Sequence, residues 1–214
     1  MKDWSKNKRA MMMTKTNRRV SYVVIAIIVV KYLFDMYILF DEWVFVPMGS
    51  IEPSELYRIG GYLASESPFG LSSITSLVTH LSLPHILFNC IALYYLSDFI
   101  DGMLYNFEYV ALLFTSGIGG NILTHLIRGD TTLYVSAGIS GSVYGLMGAI
   151  VVFVLIMRHK LDTRGLVFIL ATVIIAMGLS VLSTATNHLA HMGGFIAGGL
   201  FMFGIMIVRN KENT

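Results

Sequence analysis

Ser140 stands in Gly138-Ile139-Ser140-Gly141, at the opening of an apolar run long enough to cross a bilayer. A hydroxyl in a glycine cluster at that place needs a reason, because membrane spans avoid unpaired polar groups. Fifty residues later a second apolar run opens with Ala190-His191-Met192-Gly193-Gly194. A serine is a poor nucleophile until a base removes its proton, and a neutral imidazole suits that task near neutral pH. Ser140 as nucleophile and His191 as base would perform acyl transfer on a peptide bond. The tetrahedral oxyanion would need preorganised donors. The Ser140 amide, free at a helix N-terminus, is one, and the side chains of His85 and Asn89, at i and i+4, are two more. Gly141 removes a side chain beside the nucleophile, and Gly138 permits a tight entry into the helix. Ser142 occupies the place of the second glycine of G-x-S-x-G, so the hydrolase elbow of that pattern is not matched.

The elements that must position these residues are membrane spans. Of 214 residues 55% are hydrophobic and 13% charged, about half the charge of a soluble domain, and the mean hydropathy is +0.70. A net charge of +2 is too small to indicate nucleic-acid binding. One cysteine, Cys90, excludes an internal disulfide and reads as a buried thiol. Residues 1–19 form a basic tail, read as retained and cytoplasmic because no small-residue cleavage site follows. Six spans are expected, over about 20–40, 81–100, 107–127, 138–157, 165–182 and 188–208, with a short tail at 209–214. Residues 41–79 are a long, proline- and glycine-punctuated break, aromatic enough to form short interfacial helices rather than a separate domain. Lys31 and Asp35 share one face of the first span and are expected to pair inside the bundle. With the N-terminus inside, twelve Lys and Arg lie on the cytoplasmic side against Arg58 and Arg128 outside. Both termini are therefore expected in the cytoplasm.

Depth then decides which side chains can meet. Ser140 and His191 each lie 18 residues before the basic residue ending their own span, Arg158 and Arg209. At about 1.5 Å per residue both sit ~27 Å above the inner boundary, just under the outer surface. His85 and Asn89, 16 and 12 residues before Asp101 at the end of their own span, fall in the same outer half. Gly141, Gly145 and Ala149, and likewise Gly194 and Gly198, are four apart, a spacing that lets membrane helices approach closely.

With these residues in hand the chain resembles the rhomboid family of intramembrane serine proteases, in its minimal six-helix bacterial form. Gly138-Ile139-Ser140-Gly141 through Tyr144 is similar to the family's G-x-S-G nucleophile motif. Ala190-His191 with Gly194 and Gly198 is similar to its A-H-x-x-G-x-x-x-G base motif, and His80, His85 and Asn89 to its H-x-x-x-x-H-x-x-x-N motif. The resemblance implies an all-α bundle in the cell membrane and a Ser140–His191 dyad without a third carboxylate. It also implies an oxyanion site from the Ser140 amide, His85 and Asn89, with Tyr144 packed on the His191 ring. The implied partners are the lipid bilayer and transmembrane protein substrates, and no metal or organic cofactor is implied. Ser72-Ser73 stands where many members carry Trp-Arg.

Taken singly, Ser140 reads as a helix cap and His191 as a core histidine; their matched depth and the motif set favour chemistry. A small His-rich membrane transporter or metal carrier, using His80, His85, His125, His188 and His191, is a rival reading. A non-catalytic rhomboid-like binding protein is another. His80 reads as structural, and no role is assigned to His125, His159 or His188.

Overall fold

The computed structural model describes residues 17–40, 51–130, 133–158 and 186–212, with single positions between 167 and 178. Five long helices carry the fold: α1 (Asn17–Phe40), α4 (Leu83–Ile100), α5 (Asn106–Arg128), α6 (Ser140–Met157) and α7 (His188–Glu212). Between them lie the short helices α2 (Pro53–Arg58) and α3 (Leu71–Thr75) and two two-residue strands, β1 (Tyr62–Leu63) and β2 (Val135–Ser136). All five long helices are long and apolar enough to cross a membrane. In α6, 61% of the most apolar window is buried, against 22–39% in the others, so α6 is the helix the rest surround. Most of the expected fifth span, the first sixteen residues of the basic tail, residues 41–50 of the long break and His159 lie outside the described residues.

Three boundaries and one burial differ from the sequence reading. The first helix already includes Asn17, ahead of the expected start at 20, and the Asn17 side chain is buried and donates to the carbonyls of Ile100 and Leu104. The fourth span begins at Ser140 rather than Gly138, which has a φ of +117° that no helical residue adopts. The last helix continues to Glu212, so the expected tail from 209 is largely helical. Arg209 there bonds the Met103 carbonyl and the Glu108 carboxylate. Cys90 is half-buried rather than buried.

Helices α6 and α7 run parallel and nearly touch. A Cβ on Gly194 would run into the Gly141 carbonyl, one on Gly198 into that of Gly145, and one on Gly148 into that of Phe195. Helix α5 is as close on the other side, where a Cβ on Gly120 would lie 2.5 Å from the Ala190 oxygen. Without side chains in the way, dispersion contact between backbones replaces a hydrophobic driving force that lipid does not supply.

The break after α1 folds as short helices, as expected, but also as a small antiparallel pair that was not. Tyr62 pairs with Ser136 and Leu63 with Val135. Strands of two residues show no alternation to read. Three further ties hold this segment to the bundle. Asn121 on α5 donates to the Ser73 carbonyl and hydroxyl, and His125 Nδ1 donates to the Ala64 carbonyl at 2.8 Å. Lys31 reaches the Ile59 carbonyl at 2.8 Å while bonding both Asp35 oxygens.

Candidate active site

The site is built at the end of the bundle where α4, α6 and α7 begin. Ser82 caps α4, its hydroxyl accepting from the His85 amide at 3.3 Å, and Pro84 occupies the first turn, where its missing N–H costs nothing. That cap places His85 in the first turn and Asn89 one turn deeper. Ahead of α6, the Gly138 amide donates to the Ser76 carbonyl at 2.8 Å and the chain turns through its positive φ. Ser140 is the first residue of α6, so its amide belongs to the unpaired set at the helix start.

Helix α7 is set by Asn187, which sequence reading passed over. Its Oδ1 accepts from the Ala190 amide at 3.1 Å, an N-cap, and its Nδ2 donates to the buried Thr124 hydroxyl of α5 at 3.1 Å. One side chain thus starts the helix and anchors it to its neighbour, fixing the height of His191. The signal was present in Thr186-Asn187-His188, an N-cap residue type just before an apolar run, but the partner Thr124 is 63 residues away.

His191 Nε2 lies 2.8 Å from Ser140 Oγ, and both residues are half-buried. The Tyr144 ring stacks on the His191 imidazole, with centroids 4.0 Å apart and planes 14° from parallel. A face so covered leaves the imidazole little freedom to turn away from the hydroxyl. The Gly138 turn packs against His85 and Asn89: a Cβ on Gly138 would lie 2.5 Å from His85 Cε1 and 3.6 Å from Asn89 Nδ2. Asn89 is 5% exposed, and its Nδ2 has no hydrogen-bond partner within the protein. A buried amide donor without a partner, beside the Gly138 turn that leads into Ser140, can receive negative charge.

Ser140, His191, Tyr144, Gly138, His85 and Asn89 thus converge, while Gly141 and Gly194 meet behind them as the helix contact. His80 is buried beside His85, ring centroids 5.1 Å apart. His188, one turn before His191, is exposed, and His125 is turned to the loop. Among the described residues no group of three or more His, Cys, Asp or Glu could hold a metal ion, which is the arrangement a metal carrier would need.

The family profile described as the Rhomboid domain matches residues 70–208. YdcA of Bacillus subtilis (strain 168), rhomboid by name, is 27% identical over 139 residues, 65% of this chain and 68% of that protein. Two further relatives are named rhomboid proteases. GluP of Bacillus subtilis (strain 168) is 27% identical over 126 residues, 58% of this chain but 24% of GluP. AarA of Providencia stuartii is 25% identical over 225 residues, 92% of this chain and 78% of AarA.

Proposed function

The chain belongs to the rhomboid family, and from that premise we propose that it is an intramembrane serine endopeptidase. Ser140 is the nucleophile, His191 the general base and acid, and transmembrane proteins are the substrates. The observation that carries the reading is the 2.8 Å contact between His191 Nε2 and Ser140 Oγ, made by side chains of two helices at one depth. In the first step His191 Nε2 takes the hydroxyl proton as Ser140 Oγ bonds to the scissile carbonyl carbon. The carbonyl oxygen becomes an oxyanion held by the Ser140 amide, Asn89 Nδ2 and His85. Collapse of the intermediate breaks the C–N bond, and His191 returns the proton to the leaving amine. Water, deprotonated by His191, then attacks the acyl-enzyme, and the proton passes back to Ser140 Oγ as the acid product leaves. The stacked Tyr144 ring keeps the imidazole in register through both halves.

The same reading gives six spans with both termini in the cytoplasm. Its support is the parallel run of α6 and α7: the chain must recross the bundle between them, and residues 158–187 are enough for one span.

The test is cleavage of a co-expressed single-span substrate. Ser140→Ala and His191→Ala each abolish it while leaving the protein folded and membrane-inserted, and a serine-reactive phosphonate labels wild type but not Ser140→Ala. Full cleavage by Ser140→Ala ends the reading.

A further inference from the structure

His80 and His85 are adjacent rings that the dyad does not use. His80 is buried in the turn before α4, and His85 stands in the first turn of that helix, centroids 5.1 Å apart and planes tilted by 55°. Each ring keeps one nitrogen shielded from solvent and without a partner within the protein, Nε2 of His80 and Nδ1 of His85. A buried polar atom left unpaired is costly, so two in neighbouring rings ask for a shared partner.

Tautomers decide what that partner is. His80 Nδ1 lies 3.4 Å from the Val78 carbonyl oxygen, which only accepts, so Nδ1 carries the hydrogen and Nε2 a lone pair. Burial lowers the His80 pKa to about 3, so the ring is neutral at physiological pH. His85 turns its Cε1–Nε2 edge to the Gly138 turn, where a Cβ would lie 2.8 Å from Nε2. An oxyanion at Ser140 is served only by a hydrogen on that Nε2, and this leaves Nδ1 of the neutral ring as a second bare acceptor. Two acceptors do not bond one another. A water molecule between them would satisfy both by donating one hydrogen to each, the use to which buried waters are put elsewhere. A direct bond from His85 Nδ1–H to His80 Nε2 would set the opposite tautomer and present a lone pair to the oxyanion.

We propose that His80 is a positioning residue: with one buried water donating to His80 Nε2 and His85 Nδ1, it fixes His85 as the Nε2–H tautomer and aims that donor at the Ser140 oxyanion. This rests on the peptidase reading above.

The test is 15N NMR of the full chain in detergent micelles, labelled at histidine, with His85→Gln identifying the His85 signals. Wild type is expected to carry the His85 hydrogen on Nε2; a hydrogen on Nδ1 overturns the proposal without any change at His80. His80→Phe keeps a ring but removes the acceptor. It should give a mixed His85 tautomer and a kcat about 10-fold to 100-fold lower, with KM little changed, a smaller loss than that of a whole oxyanion donor. His80→Gln returns a carbonyl acceptor and should recover most of the rate. Equal losses in both variants, with both folded and the His85 tautomer unchanged, would make His80 a packing residue and defeat the idea. If wild type fails to react with the phosphonate at Ser140, the peptidase reading fails instead, and the tautomer of His85 still decides the link to His80.

Discussion

Asn89 carries its consequence in one atom. Its Nδ2 is buried beside the Gly138 turn with no partner within the protein, so it is desolvated before any oxyanion forms. Asn89→Ala removes that donor without creating a clash, and kcat is expected to fall about 10-fold to 10³-fold with a smaller change in KM. Single-turnover kinetics on a purified substrate separate the two, and an unchanged kcat would remove Asn89 from the oxyanion site. At this scale the sequence was explicit. Ser140, His191, His85 and Asn89 could be named because a polar side chain in an apolar span is costly and so conspicuous. Asn187 could not be singled out, because an asparagine between spans looks like any other turn residue until Thr124 is seen against it.

Among the elements, the dyad depends on how closely α6 and α7 approach. Gly194 abuts the Gly141 carbonyl, one residue past Ser140, so a larger side chain must push the helices apart just where they hold the 2.8 Å contact. Gly194→Val is expected to cost about 1–3 kcal/mol of stability, the usual range for overpacking, and to abolish cleavage even where the protein remains folded. Gly204, on the same helix, has nothing within 4 Å of a built Cβ, and Gly204→Val is the control that should leave cleavage near wild type. Thermal melting together with substrate cleavage reads both effects. The spacing of these glycines was visible in the sequence, but which helix they face was not. Small residues four apart report only that some neighbour comes near.

For the molecule as a whole, the Lys31–Asp35 pair ties α1 to the segment that holds α2. Lys31 bonds both Asp35 oxygens at 2.5 and 2.6 Å and the Ile59 carbonyl at the end of α2, while Asp35 is 2% exposed. Removing one partner strands the other charge in a low-dielectric interior, so Lys31→Met or Asp35→Leu alone should cost about 3–5 kcal/mol. The double variant should cost less than the sum of the two, and a double-mutant cycle in micelles measures the difference. Strict additivity would mean that the pair contributes no coupling. Topology is tested at the same scale: a reporter fused after residue 214 should be active only if it matures in the cytoplasm, and activity from a periplasmic reporter there would reverse the proposed orientation.

The sequence by itself determined a helical membrane protein, five of its apolar helices to within a few residues, and the four polar groups that the fold brings together. It could do so because hydropathy, charge asymmetry and helical rise are local or additive along the chain. The β1–β2 pair, the ties from Asn121, His125 and Lys31 to the segment between α1 and α4, the N-cap that sets α7 against α5 and the juxtaposition of His80 with His85 were decided only by the tertiary structure. All but the last join residues far apart in the chain through a few hydrogen bonds, and no periodicity or composition records which distant partner a polar atom will find.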